Sequence, residues 1–524
     1  VGSDRRRASV ARVGSSLSLA AAVLLSVTGA GRAIAAPADR PDIVVIYLDD
    51  VDPHDGRLWD NERRTPTLAR LFAQSGVQFT SAISETPLCS PGRATTLTGL
   101  HTSNTGVDDN VAAPFDPRET IATELKHSGY HTTFVGKYLN QLRNQVKPYQ
   151  LRRHARAWDD FDIIYENNGQ YYDYAMWDRR TGMEHYGHSA ADHSTLVAKR
   201  KLTRDLKQAG TDEPVFAFAS LFDLHAPNLP ERKNLDAKAC RRIKAWAPPS
   251  YSASVKGKPR FIRQRPRFKR PGWPMKTYCE QMLGVDEFTK AVVRVQKQRG
   301  RLDDTLFIFT ADNGVAWGIH RLPQRKGVPY ATPVPLVMSW PARWGTEARQ
   351  IDEVVSNIDL APTICAIAGC EMGPYKNGLQ SADGLSLLPL LDGQTDHLDR
   401  TVVREESGPG YPSAPQFWAI RTTSYYPLGR WHYTEWVTGE RELYDSVNDP
   451  WELTNLAGEA DYADVVAQLS AELHHEFPVL ADGTEVPVLS TSRAASAAGS
   501  PAPDGAEASA APESSATPEA AASG

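Results

Sequence analysis

Residues 88–99 read Leu-Cys-Ser-Pro-Gly-Arg-Ala-Thr-Thr-Leu-Thr-Gly, setting Cys89, Pro91 and Arg93 at alternate positions in the opening turns of an expected helix, with Thr98-Gly99 as its stop. A helix start presents free N–H groups and the positive end of a dipole, so an anion is stabilised there. Arg93, one turn along, adds a fork of donors suited to a sulfate, a phosphate or a charged side chain. Two further pairs stand after apolar, β-branched runs: Asp49-Asp50 after 42–48, and Asp312-Asn313 after 306–310. Ligands collect at the carboxyl ends of such strands. Oxygen donors of this kind suit a hard divalent cation, calcium or magnesium, and no Cys/His cluster at zinc spacing competes with them. Lys137, His225 and Lys326 complete the candidates. Hydrolysis of a charged ester needs its oxygens neutralised and its leaving alcohol supported or protonated. Singly, each acid reads equally well as a turn residue and each lysine as surface charge; two pairs at strand ends are harder to explain that way.

The elements that must position these residues follow the pattern of an α/β chain. Strands are expected at 41–48, 77–79, 130–135, 215–221, 306–310 and 334–340, several of them continuous apolar runs of the sort buried on both faces. Helices are expected at 65–76, 120–128, 285–298 and 358–368. The tyrosine-rich stretch 168–177 reads as strand or loop at a pocket wall. The expected fold is a large central, mostly parallel sheet flanked by helices, spanning 37–395, with a smaller C-terminal α+β subdomain at 396–482. That subdomain contains short strands at 418–421, 431–434 and 442–445 and a closing helix at 462–477. The tail 483–524, which beyond about Ser490 is mostly Ala, Ser, Pro, Gly and Glu, is expected to be disordered.

Composition sets the outer bounds. A net charge of −5 gives no general affinity for nucleic acid, and 41% hydrophobic residues suffice for a sizeable core. Segment 241–270 carries eleven basic residues and no acidic one, interleaved with Trp246, Tyr251, Phe261 and Phe268. It reads as an insertion loop that either attracts a polyanion such as a sulfated glycan or is simply solvated charge. Arg5, Arg6 and Arg7, the apolar run 17–27 and Ala33-Ile34-Ala35-Ala36 form a signal-peptide pattern over 1–36, too short to span a membrane. The expectation is a secreted or extracytoplasmic protein. The five cysteines, Cys89, Cys240, Cys279, Cys365 and Cys370, leave one over; Cys365 with Cys370 would close a short loop and Cys240 with Cys279 a longer one, and sequence decides neither.

Cys89-x-Pro91-x-Arg93 followed by Leu97-Thr98-Gly99 resembles the signature of the sulfatases, members of the alkaline phosphatase-like superfamily. The resemblance continues in family order through the strand ending in Asp49-Asp50, Gly136-Lys137-Tyr138, His225-Ala226-Pro227, Asp312-Asn313-Gly314, Lys326 ahead of Tyr330, and Glu442-Leu443-Tyr444-Asp445 with Asn448-Asp449-Pro450. It implies that Cys89 is oxidised to formylglycine by a dedicated maturation enzyme, and that its hydrate attacks sulfur. It further implies one divalent cation, calcium ahead of magnesium, held by Asp49, Asp50, the modified Cys89, Asp312 and Asn313. Catalysis would then fall to Cys89, Arg93, Lys137, His225 and Lys326, with Asp312 assisting deprotonation of the attacking hydroxyl. Gly136-Lys137-Tyr138-Leu139-Asn140, Tyr171-Tyr172-Asp173-Tyr174 and Val285-Asp286-Glu287 look most like the N-acetylglucosamine-6-sulfatases, which implies a small sulfated sugar or sulfated glycan as substrate. Three positions depart from family habit: Asp42 in place of asparagine, Leu139 in place of the histidine of many arylsulfatases, and Ala331-Thr332-Pro333 in place of an acidic-glycine turn. Two other functions remain open from sequence: a phosphonate or phosphate ester hydrolase of the same superfamily, and a secreted, non-catalytic glycan-binding protein using the basic segment.

Overall fold

Ten strands form one sheet: β1 Asp42–Leu48, β2 Val77–Ile83, β3 His131–Lys137, β4 Asp160–Glu166, β5 Tyr174–Asp178, β6 Gly182–Tyr186, β7 Val215–Ser220, β8 Thr305–Ala311, β9 Leu336–Ser339 and β10 Arg349–Ser356. Their order is β10-β2-β9-β8-β1-β7-β3-β4-β5-β6. The centre, β8-β1-β7-β3-β4, is parallel. β9 and the β5-β6 hairpin run antiparallel to their neighbours. Every residue of β1 and β8 is buried, as continuous apolar runs require when helices cover both faces. This computed structural model describes residues 40–53, 59–166, 170–268, 272–273, 275–323, 326–409 and 414–478. The expected signal peptide and the tail 483–524 lie outside them.

Several elements differ from expectation for identifiable reasons. β4 was not anticipated because Asp160 and Asp162 interrupt its apolar pattern. Both are buried and matched by cations: Arg180 pairs with Asp160, and Arg204 reaches Asp162 at 2.8 Å. β10 carries alternating polar residues along an edge and was missed for the same reason. The helix expected at 65–76 is a helical turn, Pro66–Leu68, running into a π-helical stretch, Ala69–Ala73. The helix expected at 285–298 begins earlier and spans Met275–Gln298, its added turns tied down where Cys279 is bonded to Cys240. Cys365 and Cys370 form the second disulfide, leaving Cys89 free.

The C-terminal sheet is a four-stranded antiparallel meander: β11 Val402–Glu406, β12 Phe417–Thr422, β13 Trp431–Trp436 and β14 Arg441–Asp445. Alternation along each strand sends side chains to two different cores. Trp418, Ile420, Tyr433 and Leu443 pack beneath the helix Ala463–Glu476. Phe417, Ala419, Trp436 and Tyr444 face the other way, onto Ile262, Leu322, Val328 and Tyr330. The basic segment 241–270 is therefore not just an insertion loop: Arg260–Arg263 is helical, and Ile262 and Lys258 are buried in this contact. No helix among the described residues is long and apolar enough to cross a membrane.

Candidate active site

Parallel pairing delivers the chemistry-bearing residues to one edge of the sheet. β1 is paired with β8 at Leu48 and Ala311, so Asp49 and Asp312 leave the sheet side by side. Ser220 of β7 is level with Tyr47 on one side and Gly136 on the other, which brings Lys137 to the same edge. The strand there runs two residues beyond the expected 130–135, so Lys137 ends β3 rather than following it. His225 lies in the turn after β7. Above this edge starts the helix Cys89–Thr98, with Leu88 extended at its N-cap and Gly99 left-handed at φ 71°, donating its N–H to the Thr95 carbonyl.

Arg93 ties the ends of β1, β3, β7 and β8 together. Its Nε donates to Asp312 Oδ2 at 2.9 Å and its Nη2 to Asp49 Oδ2 at 3.2 Å. Nη1 donates to the Lys137 carbonyl at 2.7 Å and to Ser220 Oγ at 2.6 Å. Its fork is spent on side chains and backbone rather than offered to an outside anion. Lys137 Nζ stands 2.5 Å from Asp49 Oδ2, and Lys326 Nζ 2.5 Å from Asp50 Oδ1 and 3.1 Å from Cys89 Sγ. Cys89 Sγ lies 3.6 Å from Asp49 Oδ1, and His225 Nε2 3.6 Å from Asp50 Oδ2. Asp50, at φ 59°, and Asn313 both donate their backbone N–H to Asp312 Oδ1, at 3.2 and 2.8 Å.

The electrostatics follow from burial and from this packing of opposite charges. Burial opposes ionisation of Asp49, but Lys137, His225, Arg93 and Lys326 outweigh it and hold the carboxyl well below its usual range. Burial pushes the Cys89 thiol up to about 12 against the pull of Lys137 and Lys326. Burial, with Asp49 added, raises Asp312 to about 6 despite Arg93. For Lys326, burial works against the charge, yet Asp50, Cys89 and Asp49 keep it firmly protonated. Cys89 and Asp49 are fully enclosed, whereas the side chains of Lys326 and His225 retain 13% and 24% exposure, so these two form the rim.

A cation fits this donor set. Ligand atoms of Asp49, Asp50, Cys89 and His225 all lie within 4.8 Å of one another. Asn313 Nδ2 is committed to Asp50 Oδ1 and the Gly314 carbonyl, at 2.8 and 2.7 Å, while its buried Oδ1 has no hydrogen-bond partner among the described residues. A buried orphan oxygen beside three carboxylates is what a hard cation would satisfy.

A family model described as Sulfatase matches residues 41–370, and one described as N-sulphoglucosamine sulphohydrolase, C-terminal, matches residues 329–477. The chain belongs to the sulfatase family. This sulfatase is a sulfuric ester hydrolase with the expected α/β fold and separate C-terminal sheet. It is 26% identical over 486 residues to the N-acetylglucosamine-6-sulfatase of Homo sapiens, covering 82% of this chain and 83% of that one. It is 28% identical over 373 residues to the extracellular sulfatase SULF-1 homolog of Drosophila melanogaster, where the match spans 67% of this chain but 31% of that longer protein. Among solved structures, one in complex with its substrate D-glucosamine-2-N,6-O-disulfate superposes with a TM-score of 0.70 at 19% identity, over 85% of this chain and 99% of that one.

All nine residues singled out in the sulfatase sequence, Asp49, Asp50, Cys89, Arg93, Lys137, His225, Asp312, Asn313 and Lys326, join this one network. Sequence reasoning missed the groups that hold it. Ser220 Oγ receives Arg93, and its signal was a polar residue ending an otherwise apolar strand. Asn357 Nδ2 fixes the Cys89 helix through the Gly92 carbonyl and the Thr95 and Thr96 hydroxyls, at 3.0, 2.7 and 3.0 Å. Tyr171, taken for pocket wall, is buried: its hydroxyl donates to the His225 and Phe222 carbonyls at 2.7 and 3.2 Å and so shapes the histidine turn.

Proposed function

We propose that this sulfatase releases sulfate from a sulfated sugar, N-acetylglucosamine 6-sulfate foremost, through Cys89 converted to formylglycine and one divalent cation, calcium ahead of magnesium. The overall reaction adds water to the ester, giving an alcohol and hydrogen sulfate. The observation that carries this reading is the setting of Cys89: the one cysteine outside the two disulfides, at a helix start, enclosed, with Lys326 Nζ at 3.1 Å and Asp49 Oδ1 at 3.6 Å. Asp49, Asp50, Asp312 and Asn313 would hold the cation with the modified residue. Together the two groups supply a polarised oxygen nucleophile whose second hydroxyl allows sulfate to be expelled.

The chain's own residues do the rest. Lys137 and Lys326 flank the Cys89 position and neutralise sulfate oxygens as charge develops on them. Asp312 would accept the proton of the attacking hydroxyl, and Arg93 links that carboxylate to Asp49. His225, at the rim, serves the departing alcohol oxygen together with Lys326. The match to an N-acetylglucosamine-6-sulfatase over four fifths of both chains supports the sugar class. The amino-terminal signal pattern supports export, and the modification calls for a maturation enzyme as partner.

The test measures sulfate released from N-acetylglucosamine 6-sulfate, an aryl sulfate and choline sulfate, and phenol released from an aryl phosphonate ester, alongside mass analysis of the peptide containing Cys89. Fastest release from the sugar and an aldehyde mass at Cys89 are expected. Chelation should abolish the activity and calcium restore it, and Cys89→Ala should be folded and inactive. An unmodified thiol in active enzyme would overturn the formylglycine reading; faster phosphonate hydrolysis would reassign the substrate class.

A further inference from the structure

Two features of the sequence have no place in the reaction as described: the basic segment 241–270 and the Glu442-Leu443-Tyr444-Asp445 motif. They meet at one buried point. Among the described residues of the basic segment, Lys258 is the enclosed lysine, with none of its side chain exposed. Its ammonium donates to the Tyr444 hydroxyl at 2.6 Å, the Glu452 carbonyl at 2.8 Å and the Tyr330 hydroxyl at 3.3 Å. It lies 3.4 Å from His320 Nε2 and 3.6 Å from Glu442 Oε1, and sits over the rings of Tyr330 and Tyr444 at 4.5 and 4.2 Å from their centroids. Glu442 in turn accepts from the Tyr330 hydroxyl at 2.6 Å, from Trp436 Nε1 at 2.9 Å and from the Tyr444 hydroxyl.

His320 and Tyr330 flank Lys326 in the chain, so both sides of the excursion that carries it are held by one ammonium. The same excursion is pinned to the approach of the Cys89 helix: Gly327 donates to the Pro87 carbonyl at 3.1 Å, and Ser84 to the Thr332 carbonyl at 2.8 Å. We infer that Lys258, with Glu442 and Tyr330, is a positioning residue for catalysis: a buried clamp through which the C-terminal sheet sets Lys326 against the nucleophile. This rests on the role proposed for Lys326. An enclosed ion pair is weak evidence of stability for its own sake, since apolar replacements often serve as well. Its geometric demand on the Lys326 segment is the more specific consequence.

The experiment compares Lys258→Met, Tyr330→Phe and Glu442→Gln with wild type, and repeats Lys258→Met on a Lys326→Ala background. Tyr330→Phe removes only a hydroxyl and guards against a Lys258→Met that fails to fold. Expected is a fall in kcat of about tenfold with KM within about twofold, in protein shown folded by circular dichroism at the assay temperature, as small misplacements of catalytic groups produce. On the Lys326→Ala background, Lys258→Met should cost less than about twofold more, because the group it positions is gone. A lowered Tm with wild-type kcat per folded molecule in Lys258→Met and Tyr330→Phe would overturn the inference while leaving Lys326 its role. Wild-type kcat in Lys326→Ala would overturn both.

Discussion

Gly92 is the point where the Cys89 helix touches the end of β8 at Asp312. A Cβ there would stand 2.2 Å from the Asp312 carbonyl oxygen and 3.0 Å from Ser84 Oγ, so the helix start can lie this close to β8 only without a side chain. The Gly92 carbonyl is engaged as well, by Thr96 Oγ1 at 2.7 Å and Asn357 Nδ2 at 3.0 Å, so the residue cannot simply slide away. Gly92→Ala is expected to cost about 3 kcal/mol, at the upper end of overpacking, and to lower kcat by more than tenfold because Cys89 shares the displaced turn. A thermal melt and a steady-state assay on the same preparation check both; unchanged kcat would mean that the helix start is not held this tightly. Residue types were legible here because chemistry restricts them: an aspartate pair and an Asp-Asn pair at strand ends, and a cysteine at a helix start, are few. Ser220, Asn357 and Tyr171 were not, because a hydroxyl or amide that supports another side chain has no spacing rule to betray it.

The elements that carry these residues lean on one another for groups they lack locally. The turn Pro66–Leu68 has no side-chain cap of its own. Its free N–H groups at Thr67 and Leu68 are taken by Asp286 Oδ1, at 2.7 and 2.9 Å, from the middle of the helix Met275–Gln298. Asp286, one of the residues on which the resemblance to glucosamine sulfatases was drawn, thus has a cap to supply across the fold. Asp286→Ala would leave two buried donors unpaired, a loss of about 2–4 kcal/mol, whereas Asp286→Asn keeps an acceptor and should lose less than half of that. Denaturant midpoints with unchanged m-values distinguish the two; equal losses would point to the carboxylate's charge instead. Caps of this kind explain where element boundaries escaped sequence reading. The Cys89 helix ends where Gly99 says it should, because that signal is local. The 65–76 helix does not run as its periodicity implies, because what organises its start lies more than two hundred residues away.

At the scale of the whole molecule, the central parallel strands were legible as unbroken apolar runs, while β4, β10 and β11 were hidden by charges that find partners only in the folded chain. Those buried charges give the enzyme's stability a pH dependence that can be assigned residue by residue. His154 is enclosed, and burial, with Arg153 nearby, lowers its pKa from the ordinary 6.5 to about 4. The unfolded chain takes up that proton near pH 6.5 and the folded chain only near 4, so between these values the unfolded state binds more protons. Stability from this residue is therefore complete above pH 6.5 and falls as pH drops, by up to about 1.4 kcal/mol per pH unit. His131 has the opposite sign: burial would lower it, but Asp160 outweighs burial and raises it, so its contribution is complete below pH 6.5 and fades as pH rises through the folded value. Carboxylates held low, such as Asp178, where hydrogen bonds from Asp162 and from Lys201 at 2.7 Å outweigh burial, keep their contribution above about pH 4 and lose it only below. Asp312, raised to about 6, titrates across the same range, so the histidine is isolated as a difference between wild type and a variant. His154→Gln removes the titrating ring from the 4 to 6.5 window and leaves the others in place. The Tm difference between wild type and His154→Gln should shrink steadily from pH 7 to pH 5, as wild type alone loses the histidine's contribution. A difference that stays flat over that range would mean that His154 takes up its proton in the folded enzyme as readily as in the unfolded chain.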